Sequence, residues 1–114
     1  MAVSPAMAEG DVKAGKKVFN KCKACHWADK EKNKVGPHLV GLFGREAGAL
    51  EDFKYSDAMK ESGIVWDAET LVPYLKKPKE AVPGTKMAFV GLKKDQQIAD
   101  VIAYLEEATV PPSE

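Results

Sequence analysis

The chain has 114 residues, of which 45% are hydrophobic and 30% charged. That is enough for one small globular domain and too little for two. Its 17 basic and 17 acidic side chains cancel, which removes the bulk-charge argument for a nucleic-acid binder. No apolar run approaches the roughly 20 residues needed to span a bilayer, so a soluble mature domain is expected.

Residues 1–8 contain Ala6-Met7-Ala8, the small-x-small form cut by signal peptidase, without the apolar stretch that should precede it. They read as the stub of a removed export signal, an added tail or a loose terminus, and the domain is placed at 9–110. From Asp11, a plausible N-cap, DVKAGKKVFNK sets Val12, Gly15, Val18 and Phe19 on one face. This predicts an amphipathic helix of about three turns that stops near the cysteines. The glycines at 36, 41, 44 and 48 are too dense for regular structure and predict loops and turns. Ser56 to Ser62 reads as a short helix capped by Ser56 and stopped by Gly63. A further helix is expected from the cap Asp67 to about Lys77, ended by Pro78, with Pro73 kinking or loosening its first turn. KKDQQIADVIAYLEEA places Ile98, Val101, Ile102 and Leu105 at i, i+3, i+4 and i+7, the clearest helix of the chain. The tail TVPPSE reads as frayed, most firmly over 111–114. The pattern is all-α, and the segment 35–89 is so loop-rich that something bulky and apolar is expected to complete its core.

Both cysteines lie in CKACH, Cys22 to His26. A thioredoxin-like pair would follow a strand, and no strand pattern precedes Cys22. Structural zinc needs four ligands, whereas the chain has two cysteines and two histidines, with His26 directly against Cys25. A structural disulfide leaves the histidine without a role. The remaining reading is covalent haem attachment: two thioethers tie one short turn to one edge of a rigid ring, and the next residue projects toward the metal. It requires a second axial position filled by methionine, by histidine or left open. Met87, in the loop VPGTKMAFVG, is placed among turn residues rather than on an apolar helix face, where a lone methionine is usually core filler.

GKKVFNKCKACH, GPHLVGLFGREAG, GIVWDAETL, PGTKMAFVGLKK and ADVIAYLEEAT, in that order, resemble the class I cytochromes c of the mitochondrial-type branch and their small soluble bacterial relatives. The resemblance runs from about Gly10 to Thr109. It implies an all-α cytochrome c fold around one covalently attached haem c, with terminal helices crossing at Gly15, Phe19 and Tyr104. It implies thioethers at Cys22 and Cys25 and axial ligands at His26 and Met87. It further implies that Pro37 accepts the ligand histidine's N–H, that Arg45, Tyr55 and Trp66 hold the propionates, that Tyr74 and Thr85 stand near the methionine, and that Phe89 covers the haem edge. Met59 departs from a common asparagine, Trp27 from a common threonine, and Pro73 puts the Tyr74 hydroxyl in question. His38 reads as a surface residue.

The function implied is one-electron transport, not enzymatic turnover, by a monomer in the bacterial periplasm or the mitochondrial intermembrane space; the alternative is a haem protein with peroxidase or ligand-binding activity, which requires Met87 to leave the iron readily. Charge distribution adds to this. Residues 13–34 carry eight lysines against two acids, and residues 44–70 seven acids against three basic groups, which makes the chain a dipole. By resemblance, Lys17, Lys21, Lys34, Lys79, Lys86, Lys93 and Lys94 ring the haem edge. They would dock membrane electron-transfer complexes such as a bc-type reductase, a terminal oxidase or a reaction centre. No nucleic acid and no membrane insertion is expected.

Overall fold

The computed structural model describes residues 10–110; the expected export stub and the last four residues lie outside them. Among the described residues five helices follow one another: α1 Val12–Phe19, α2 Asp57–Lys60, α3 Ala68–Lys76, α4 Pro78–Ala81 and α5 Asp95–Ala108. Among the described residues there is no strand, only an isolated antiparallel bridge between Glu46 and Val65. No helix among them is long and apolar enough to cross a membrane.

Side-chain caps mark the starts of α1, α2 and α3. The Asp11 side chain accepts the Lys13 N–H, and Ser56 accepts the Met59 N–H. Asp67 and Thr70 form a reciprocal capping box, and the Thr70 hydroxyl also donates to the Val65 carbonyl at 2.7 Å. Pro73, expected to kink or loosen the first turn, lies inside α3, which continues past it to Lys76. Pro78 ends α3 as expected but also opens α4, an element the sequence reading missed. A proline's fixed φ and missing N–H suit the first helical position, where the N–H has no intrahelical partner in any case.

The core is organised by α1 lying across α5. At the crossing Gly15 is buried, and a Cβ there would strike the Asp100 carbonyl and the Tyr104 Cβ. Only a residue without a side chain lets the two backbones approach so closely. Phe19 and Tyr104 stack beside it with centroids 5.4 Å apart. Asp100, buried in α5, accepts the Asp11 N–H at 2.9 Å and Gln96 Nε2 at 2.9 Å, which anchors the start of α1 to α5. Ile98, Val101, Ile102 and Leu105 are all buried, as their spacing predicts. Thr109, expected in the frayed tail, is held in the fold. Thr109 is 2% exposed, its hydroxyl donates to the Leu105 carbonyl at 2.6 Å, and its own carbonyl accepts the Gly41 N–H at 2.7 Å.

Candidate functional site

α1 ends at Asn20, and the chain continues in tight turns through the two cysteines. Cys22 N and Lys23 N bond the Phe19 carbonyl, and Cys25 N and His26 N both bond the Cys22 carbonyl. This one turn sets both thiols and the imidazole on a single short segment. Both thiols are free. Burial, and then the neighbouring Cys25, push the Cys22 thiol up to about 11, so it is a neutral thiol at ordinary pH.

His26 is held from two sides. Its Nδ1 lies 2.7 Å from the Pro37 carbonyl. A carbonyl only accepts, so Nδ1 carries the proton and Nε2 keeps its lone pair. Gly36, the residue before, lies against the ring so closely that a Cβ would collide with Cε1, Nδ1 and Nε2. Burial is the largest influence on this imidazole and pushes its pKa down, which the Pro37 bond partly opposes. The result is a neutral, oriented imidazole with one free donor atom, the form in which histidine binds a metal.

Met87 is reached through α3. The Tyr74 hydroxyl, buried beside Trp66 with ring centroids 4.8 Å apart, donates to Met87 Sδ at 3.4 Å. Pro73 therefore does not displace that hydroxyl. The Met87 N–H donates to Thr85 Oγ1 at 3.3 Å, which bends the loop that carries the sulfur. Met87 and Phe89 are half-buried and pack on the core.

A third group gathers around Arg45. Its guanidinium donates to the His38 carbonyl at 2.8 Å and the Val40 carbonyl at 3.1 Å. Its N–H and carbonyl belong to the turn joined to Trp66: Trp66 N bonds the Arg45 carbonyl at 2.9 Å and Gly44 N the Trp66 carbonyl at 2.7 Å. Burial lowers the Arg45 pKa, which the nearby Tyr55 partly opposes, and the Tyr55 oxygen accepts the Leu50 N–H at 3.4 Å. Arg45, Tyr55 and Trp66 are thus brought together, as are Tyr74, Thr85 and Met87, and Cys22, Cys25, His26 and Pro37.

One reading is corrected. His38 is not a surface residue: it is 6% exposed, its N–H donates to Asn33 Oδ1 at 3.0 Å and its Nδ1 accepts the Val40 N–H at 3.2 Å. The backbone turn after Pro37 leaves an amide facing inward, and the imidazole folds back to satisfy it. Two residues were missed. Gly36 was legible as half of a Gly-Pro turn but not as the wall of the imidazole site. Asn33 ties two loops together, accepting from His38 and donating through Nδ2 to the Asp52 carbonyl at 3.2 Å, and nothing in its sequence context marks it.

Residues 12–109 match the cytochrome c family. The chain belongs to that family. It is 50% identical over 109 residues to the cytochrome c type-1 of Ascaris suum, covering 95% of this chain and 97% of that protein. It is 54% identical over 99 residues to the cytochrome c-550 of Nitrobacter winogradskyi, covering 86% and 91%. Among solved structures, cytochrome cH from Methylobacterium extorquens superposes with a TM-score of 0.80 at 48% identity, over 85% of this chain and 98% of that one. The fold is the all-α cytochrome c fold, and the cofactor is a covalently attached haem c with its iron. The residues present fit that group. Cys22 and Cys25 offer two uncommitted thiols on one turn, and the Pro37 bond leaves His26 Nε2 as a nitrogen donor.

Proposed function

We propose that this chain is a diffusible one-electron carrier in which His26 and Met87 are the two protein ligands of the haem iron. The observation that carries the reading is the 2.7 Å bond from His26 Nδ1 to the Pro37 carbonyl, which fixes the tautomer and leaves Nε2 alone to ligate. When bound, haem c supplies one iron that gains and loses a single electron. The chain's residues do the rest. Gly36 leaves the room in which the His26 ring packs close to the backbone, and the Pro37 bond sets the ring's orientation. The Tyr74 hydroxyl and the Thr85 bond hold the Met87 sulfur in one orientation. Cys22 and Cys25 give the thioether anchors. Arg45, Tyr55 and Trp66 would partner the negative propionates, and Phe89 would cover the haem edge. His26 and Met87 would both hold the iron and leave no coordination site for a substrate, which favours electron transfer over enzymatic turnover.

The docking partners are membrane complexes of the bc-type reductase, terminal oxidase or reaction-centre kind, reached in a bacterial periplasm or, alternatively, a mitochondrial intermembrane space. Lys17, Lys21, Lys34, Lys79, Lys86, Lys93 and Lys94 are all exposed, which supports an attractive face for acidic partners. The test is Met87→Ala in the haem-loaded protein. Loss of the visible band of methionine–iron ligation, binding of small exogenous ligands and a lower reduction potential are expected. If Met59→Leu produces these changes and Met87→Ala does not, the ligand assignment is wrong.

A further inference from the structure

Trp27 stands directly after His26, and its indole carries two cations at once. The Lys30 ammonium lies 4.3 Å and the Lys34 ammonium 4.2 Å from the ring centroid. Two like charges brought onto one ring repel each other, so their convergence needs a cause. One cause is the ring itself, since indole attracts cations more strongly than the other aromatic side chains. Another is a backbone acceptor: Lys34 Nζ donates to the Lys23 carbonyl at 2.6 Å, which pins that side chain. The loop bearing the three residues is also closed by its own backbone. The Trp27 carbonyl accepts the Leu39 N–H at 2.8 Å, and Lys34 N donates to the Gly36 carbonyl at 2.9 Å.

Both lysines are exposed. The ion pairs among the described residues are Lys60–Asp57, Lys76–Asp95 and Lys77–Glu80, so neither Lys30 nor Lys34 is neutralised there. Each ammonium has three donors, and the ring and one carbonyl leave others turned to solvent. The arrangement is a pair of ordered cations awaiting an anion from outside.

We propose that Trp27 is a positioning residue for docking, holding Lys30 and Lys34 as a preformed cation pair that receives neighbouring carboxylates on an acidic partner protein. This rests on the electron-carrier reading and extends its lysine face by Lys30 and the indole beneath it. A free lysine loses rotamer freedom when an interface captures it, and a lysine already held on a ring loses less. A local acidic patch fits better than an extended polyanion. The net charge is zero and residues 44–70 are acid-rich, so a bilayer or nucleic acid attracts one side of the molecule while repelling the other.

The test uses the intact haem-loaded protein adsorbed on an electrode coated with a carboxylate-terminated monolayer, with salt-driven desorption followed by voltammetry. Trp27→Leu should weaken adsorption roughly two- to fivefold at fixed ionic strength, and Trp27→Phe by less, with the reduction potential unchanged. In a Lys30→Gln/Lys34→Gln background Trp27→Leu should add nothing. Wild-type adsorption by Trp27→Leu would overturn the proposal, as would an undiminished effect in the double-glutamine background. So would a larger loss on phosphatidylglycerol vesicles than on the monolayer. If Trp27→Leu fails to fold, Trp27→Phe carries the same cycle. Failure of the underlying docking reading is seen separately, as unchanged adsorption of Lys21→Gln and Lys86→Gln.

Discussion

The α1/α5 crossing and the segment from Gly36 to Phe89 are held together by different kinds of contact. At the crossing, shape dominates: Gly15 admits the Asp100 backbone, Phe19 lies on Tyr104, and Ile98, Val101, Ile102 and Leu105 are buried. In the long segment and the turns just before it, single side chains reach single atoms of other elements. Arg45 bonds two carbonyls, Asn33 bonds two loops, His26 bonds Pro37, and Tyr74 bonds the Met87 sulfur. Close packing resists any change in volume, whereas polar clamps resist the loss of one atom. The crossing should therefore answer to size and the site to chemistry.

The largest effect should come from Cys22→Ala combined with Cys25→Ala. Haem is then expected to leave the polypeptide on acid-acetone extraction, in contrast to the wild type. Amides between 36 and 89 should exchange faster by a larger factor than those of α1 and α5. Equal acceleration everywhere would mean that the two regions are one cooperative unit and that the distinction drawn between them is only geometric.

Gly15→Ala should come next. The added methyl meets backbone at Asp100, which cannot rotate away as a side chain could. A loss of about 3 kcal/mol is expected from forced overpacking, read as a lower denaturant midpoint, while the haem spectrum of the folded fraction stays unchanged. A spectral change at native conditions would show that strain at the crossing reaches the ligands.

Met59→Asn reverses the experiment by placing a polar group in the site region. Met59 is half-buried on the core, and the backbone around it is already satisfied, its N–H by Ser56 Oγ at 3.1 Å and its carbonyl by the Ser62 hydroxyl at 2.9 Å. A thioether fills irregular space without partners, and an amide there needs them. A loss of about 1–2 kcal/mol is expected, together with loss of methionine ligation at a lower pH as Lys79 or Lys86 competes. An unchanged unfolding midpoint and an unchanged alkaline transition would show that the pocket is indifferent to polarity at position 59.

The same difference explains what could be read in advance. α1, α5 and the caps Asp11, Ser56 and Asp67 were legible because periodicity and capping are local. The cysteine–histidine motif was legible because its chemistry fixes its spacing. His38, Asn33 and α4 were not. His38 is buried because a turn after Pro37 presents an inward amide, a consequence of tertiary folding that no neighbouring residue announces. Asn33 matters only because Asp52, 19 residues away, comes to meet it. Pro78 carries two opposite meanings, stop and start, and the chain uses both. The roles of Arg45, Tyr55, Trp66 and Tyr74 came from resemblance, and contacts between residues far apart in the chain now bring them together.

The smallest effects should separate the two regions most cleanly, because they remove a single oxygen atom. Tyr104 belongs to the crossing, where its ring packs on Phe19. Tyr55 belongs to the site region, where its oxygen accepts the Leu50 N–H. Tyr55→Phe deletes an acceptor and should lower stability at neutral pH by roughly 0.5 kcal/mol, whereas Tyr104→Phe keeps the packed ring and should leave the neutral-pH midpoint where it was. Alkaline pH then exposes the Tyr104 oxygen. Burial first, and the Asp29 carboxylate second, push its phenol above the ordinary value. The folded state therefore keeps this proton to higher pH than the unfolded state does. Its contribution to stability is whole below the unfolded phenol's pKa of about 10 and is lost as pH rises through the folded one. Tyr104→Phe has no such proton to lose, so above about pH 10 it should fall in stability less steeply than the wild type. Parallel alkaline slopes for the two proteins would mean that the phenol is as well solvated in the folded protein as in the unfolded chain, and that the crossing stops at the ring's inner edge.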